Sequence, residues 1–165
     1  MSEVESKPDA VLSAIGEAVT AGRSGSVETA RRRLVALWHE IGVAGDPLHR
    51  CTLAHHLADL YDDPARALAW DVRALDAADA LIDDRVERHH TNLGVAGFYP
   101  SLHLNLADDY RRLGSFEAAG EHIAAARRYG PELGDDGYGR LVRAAIEEVA
   151  QAITQRVTDK RASAP

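Results

Sequence analysis

An all-α fold is predicted for this 165-residue chain by three features of its sequence. Nearly every segment between glycine and proline punctuation repeats its apolar residues at helical spacing. No stretch alternates apolar and polar side chains as a half-buried strand does. Asp46 and Asp63 stand immediately before Pro47 and Pro64, which pairs an N-cap with a first-turn proline.

The elements follow from these signals in order. After a loose N-terminus over 1–8, helices are expected near 9–21, 27–41, 47–62, 64–82, 84–94, 100–113, 116–129 and 137–157, with a loose tail over 158–165. Pro8, Pro47, Pro64 and Pro100 sit where a first helical turn tolerates proline, and Gly22, Gly42, Gly114 and the Gly130–Pro131–Gly134 cluster mark stops. In the second helix Val27, Ala30, Leu34, Leu37, Trp38 and Ile41 share one face. The fourth carries two stripes, Leu68, Val72 and Leu75 opposite Trp70, Ala74, Ala77 and Leu81, so it is expected to lie between neighbours. In the last helix Leu141, Ala145, Val149 and Ala152 are expected to face inward.

Composition narrows the function classes. The chain is 45% hydrophobic, 27% charged and only 5% aromatic, so its core is built of Leu, Ala, Val and Ile. At this length it buries roughly 70% of its unfolded surface as one domain, without a disulfide or metal to hold it. Twenty-six acidic against nineteen basic residues leave a formal charge of −7, which argues against nucleic acid or anionic membrane as partner. Cys51 is the only cysteine, which excludes an intrachain disulfide and a four-thiolate zinc site and fits a cytoplasmic location. Neither a signal-peptide core nor a run long enough to span a membrane is expected.

The segment 101–133, SLHLNLADDYRRLGSFEAAGEHIAAARRYGPEL, reads as two helices hinged at Leu113, Gly114 and Ser115. Leu106, Ala107, Tyr110, Gly114, Phe116, Ala119, Ile123, Ala126 and Pro131 match in spacing and size the repeat of the tetratricopeptide family, and the segment closely resembles a bacterial-type member of it. Ala107 and Ala119 are small enough for the two helices to approach, and Tyr110 and Phe116 fill the space around the turn. A second, less regular copy starts at Leu53, where Leu57, Ala58 and Tyr61 take the places of Leu106, Ala107 and Tyr110. The two copies are 49 residues apart where the family period is about 34, so 83–97 reads as an insertion. The resemblance implies a single domain over 9–157, a short superhelix of stacked antiparallel hairpins at 9–45, 47–82 and 100–133 with a closing helix at 137–157.

In that family the first helix of each hairpin lines a concave, partner-binding surface. On this chain the corresponding faces carry His55, Asp59, Asp62, Asn105, Asp108 and Arg112, with Arg111 at the edge. The family's clamp for acidic C-terminal peptides needs cations where His55, Asp59 and Asp108 stand. The resemblance therefore implies a non-catalytic adaptor or regulator that takes a protein segment of apolar and basic residues, with no nucleic acid, membrane or cofactor; repeat faces of this kind also make homodimers.

An alternative reading starts from eight histidines, several of them clustered. His55, His56, His89, His90 and His103 could together form a site for a transition metal or a small molecule, with or without catalysis. Against it, no HExxH or paired ExxH motif is present, and adjacent helical histidines point about 100° apart. Cys51 shares a face with Ala54, Ala58 and Tyr61 and is expected to pack as a small hydrophobe rather than act as a nucleophile.

Overall fold

The computed structural model describes residues 9–87 and 96–162 of the chain, and among these it is all-helical, without strands. Seven α-helices follow one another: α1 Ala10–Arg23, α2 Val27–Ile41, α3 Pro47–Ala58, α4 Pro64–Glu87, α5 Tyr99–Arg112, α6 Phe116–Tyr129 and α7 Gly137–Thr154. Short 3-10 turns precede α5 at Ala96–Phe98 and follow α6 at Gly130–Glu132. Carboxylate caps set the starts of α1, α3 and α4. Asp9 Oδ1 accepts from the amides of Val11 and Leu12, Asp46 from Leu48 and Asp63 from Ala65, at 2.8 to 3.0 Å.

Three boundaries differ from expectation by three residues or more, and one of them is the end of α7, at Thr154 instead of 157. α3 stops at Ala58 instead of running to 62, because its last turn tightens: Leu60 and Tyr61 donate to the carbonyls three residues back, just ahead of the Asp63–Pro64 start. α4 does not break near 83. No glycine or proline stands between 65 and 93, and the helix continues to Glu87, absorbing the start of the helix expected at 84–94. The remainder of that expected helix and most of the 83–97 insertion lie outside the described residues.

α1 packs on α2, α3 on α4 and α5 on α6, and these hairpins stack through α2 and α1 on α3, α4 on α5, and both α5 and α6 on α7. The approach of α1 to α2 is close because Gly22 has no side chain; a Cβ there would stand 3.0 Å from that of Ala30. Between α5 and α6 the chain turns at Gly114, whose φ of +78° is a left-handed conformation that glycine adopts freely. Three apolar clusters run along the stack. Ile15, Ala18, Leu34, Leu53 and Leu57 fill one end, Cys51, Ala54, Ala74, Ala78, Tyr99 and Leu102 the middle, and Leu104, Ala107, Ile123, Ala126, Val142, Ile146 and Val149 the other end.

Two of the expected faces are rotated. α4 turns Ala67, Ala74, Ala77 and Ala78 inward, and Val72 is left 47% exposed. α7 buries Val142, Ile146 and Val149, and leaves Leu141 59% exposed. No helix among the described residues is long and apolar enough to cross a membrane.

Candidate functional site

The helices α4, α5 and α7, with the turn after α3, enclose an open cavity of about 460 Å³. Its walls carry five acidic side chains, Asp59, Asp71, Asp108, Asp109 and Glu148, against three cations, Arg112, Lys160 and Arg161. Leu141, Ala144 and Ala145 supply an apolar wall. The exposure of Leu141 is thereby accounted for, since its side chain borders the groove instead of the core.

Of the residues expected to line a concave surface, Asp59, Asn105, Asp108 and Arg112 all border this cavity. Asp62 stands at its rim, where its carbonyl accepts from Arg112 Nη2 at 2.7 Å and its carboxylate pairs with Lys160. His55 stands beside Asn105, with Nδ1 3.5 Å from Asn105 Nδ2 and 3.8 Å from Asp71 Oδ1. Asn105 Nδ2 is also 3.4 Å from Asp71 Oδ1, so the three side chains converge on one point.

Below this point lies a buried acid pair. Asp71 on α4 is 2% exposed and Asp109 on α5 is 5% exposed. Asp109 Oδ2 is shut off from solvent and meets no N–H or hydroxyl donor. A buried carboxylate oxygen in that position is satisfied when the carboxyl keeps its proton and donates it. Burial, the Asp71 charge and a hydrogen bond to Asp71 together drive the Asp109 carboxyl far above the ordinary carboxylate range, with Asp108 adding to the effect and Arg112 opposing it. The Asp71–Asp109 pair therefore favours keeping one proton at neutral pH.

The surrounding groups respond to this pair. Burial works to lower His55, but its close contact with the Asp71 carboxylate and the charges of Asp59 and Asp71 prevail and raise it above the ordinary histidine value. Asp59 is exposed at the groove mouth, yet the protein around it raises its carboxyl, with His55 opposing, Asp71 adding and Arg23 opposing.

Arg111, expected at the groove edge, is instead completely buried. Its Nε and Nη2 donate to Asp108 Oδ1 at 3.0 and 2.6 Å, and Nη1 donates to the carbonyl of Val157 at 2.6 Å. Asp108 is thus engaged from below, while Arg161 Nε stands 3.6 Å from the same oxygen. Sequence reasoning missed Asp71, Asp109 and Glu148. The signal existed for Asp109, which falls three residues after Leu106 and seven after Leu102 and so interrupts the apolar stripe of α5.

Of the five histidines in the alternative reading, three lie within the described residues. His55 and His56 are neighbours with ring centroids 5.8 Å apart. His103 pairs with His122 on α6, Nδ1 to Nδ1 at 3.0 Å, inside a stack that includes Tyr99, Tyr129 and Tyr110. Burial lowers His56 and His103 to about 4 each, so both are neutral at pH 7. His89 and His90 lie outside the described residues. Among the described residues no three His, Cys, Asp or Glu side chains are arranged to hold a metal ion. Cys51 is buried and its thiol is pushed up to about 12, which makes it a poor nucleophile.

No family model, curated protein or solved structure matches this chain.

Proposed function

We propose that the chain is a non-catalytic interaction module of tetratricopeptide-repeat type, acting in the cytoplasm as an adaptor or regulator. Its ligand is a protein segment that combines apolar and basic residues, and the acidic cavity beside α5 receives it. The observation that carries this reading is the composition of the walls. Asp59, Asp108, Glu148 and the buried Asp71–Asp109 pair, which keeps one proton, surround a concave space bordered by Leu141, Ala144 and Ala145. Without Lys160 and Arg161, which lie beyond the last helix, Arg112 is the one cation left among the lining residues. Such a surface attracts an incoming cation over several ångströms and offers aliphatic contact for the residues beside it.

The direct test is fluorescence anisotropy with labelled peptides that alternate Leu with Arg or Lys, measured on the parent chain and on Asp59→Arg/Glu148→Arg. Both substituted side chains are exposed, so the helices are retained. Asp108→Arg is unsuitable, since it would strip Arg111 of its buried partner. A loss of affinity of tenfold or more in the double variant is expected; undiminished binding removes this groove from consideration.

A further inference from the structure

The chain carries a basic segment of its own into the groove. α7 ends at Thr154, and the backbone then reverses: Val157 N–H donates to the Ala152 carbonyl at 2.9 Å and Arg156 N–H to that of Ile153 at 3.0 Å, a Schellman-type closure. The reversal places Arg156 at φ +55°, a left-handed conformation that a side chain disfavours. Two contacts hold it there. The Arg156 guanidinium lies 4.5 Å from the centre of the Phe116 ring, and the buried Arg111 donates to the Val157 carbonyl.

Past this anchor the chain runs across the acidic walls. Lys160 pairs with Asp62, Arg161 Nη1 lies 3.2 Å from Glu148 Oε2, Arg161 Nε approaches Asp108, and Ala162 lines the cavity. The anchor and the tip differ in kind. The anchor uses a buried guanidinium. The tip uses ion pairs, of which Lys160–Asp62 and Arg161–Glu148 are open to water on one side and hold weakly, while Arg161–Asp108 is half-buried.

We infer that residues 157–162 are an intramolecular ligand of the groove, so that a partner's basic segment enters only by displacing Lys160 and Arg161 while the Val157 anchor stays in place. This rests on reading the groove as a site for basic segments, and it adds the regulation of that site. The geometry also describes the partner: a Lys-Arg pair followed by a small residue, in the register that Lys160, Arg161 and Ala162 occupy. The affinity a partner experiences is divided by the fraction of time the tip is lifted. With ion pairs from Lys160 to Asp62 and from Arg161 to Glu148 and Asp108, the tip is closed most of the time without being locked, and releasing it is expected to strengthen partner binding about tenfold.

The test uses an unlabelled synthetic peptide of the sequence of residues 156–162, RVTDKRA, titrated by NMR into the full 15N-labelled chain and into Lys160→Ser/Arg161→Ser. The double variant retains Val157 and its bond to Arg111, so the end of α7 stays closed. Saturable amide shifts with a dissociation constant about tenfold lower in the variant are expected. Equal constants in the two chains overturn the competition and leave the groove as a binding site. No shift in either chain up to millimolar peptide overturns the groove reading itself. A control peptide with glutamates in place of Lys and Arg is expected to shift neither chain.

Discussion

Replacing Asp109 by Asn isolates the energetics of the buried acid pair beneath the groove. Asp109 and Asp71 are both almost wholly removed from solvent, and the pair favours keeping one proton, with the Asp109 carboxyl raised. In the unfolded chain an aspartate ionises near pH 4. Between that pH and the raised folded value, the unfolded state has released a proton that the folded state keeps. Stability therefore falls as pH rises across this window, by up to about 1.4 kcal/mol per unit. From pH 4 to pH 7 the accumulated loss is about 4 kcal/mol at most. Asn has the same shape, supplies an N–H donor to Asp71 and does not titrate. Urea unfolding at pH 4.5, 6, 7 and 8 is thus expected to show parent and Asp109→Asn chains close in stability at the acid end. The variant should gain steadily, reaching roughly 2–4 kcal/mol by pH 7. A difference that does not change with pH would refute the claim that the pair keeps a proton, whatever its size.

Three further outcomes follow from other contacts. Asp108→Ala leaves Arg111 buried with only the Val157 carbonyl, and a loss of about 3–5 kcal/mol is expected by chemical denaturation, since removing one partner strands a buried charge. His56 and His103, lowered to about 4, and His122, also lowered by burial, resist protonation that the unfolded chain accepts below about pH 6.5. Their contribution is intact above that pH and is lost on acidification toward 4, so melting temperature should drop over this interval, and His103→Phe should lessen the drop. His55 acts in the opposite direction, because its raised value makes its contribution greatest in acid and diminishes it as pH rises through that value. Gly114→Ala meets open space at φ +78°, so its expected cost of about 1 kcal/mol in thermal unfolding is a backbone effect alone.

Local physics made much of the fold legible. Asp46–Pro47 and Asp63–Pro64 start helices wherever they occur, because the cap and the fixed proline φ act within a single turn. The groove faces of α3 and α5 followed from helical geometry, and Asp59, Asn105, Asp108 and Arg112 do meet at one cavity. Features set by distant chain segments were not legible in the same way. The burial of Arg111 depends on Val157 folding back from the end of α7, and nothing within α5 announces it. Asp71 and Asp109 each stand on a helix face that is otherwise small and apolar. A lone buried aspartate would be improbable at either place, and only their facing one another across α4 and α5 makes both tenable. Leu141 has the periodicity of a core residue, but α7 turns Val142, Ile146 and Val149 inward and leaves Leu141 to the groove.

We propose that the acidic cavity beside α5 receives a basic segment, and chemical-shift mapping of the Lys160→Ser/Arg161→Ser chain with a saturating Leu- and Arg-containing peptide is the direct test. The largest amide shifts are expected on Asp59, Asn105, Asp108, Arg112, Leu141 and Glu148. Shifts confined to α2 or α6, away from the cavity, or an unchanged spectrum, would contradict it.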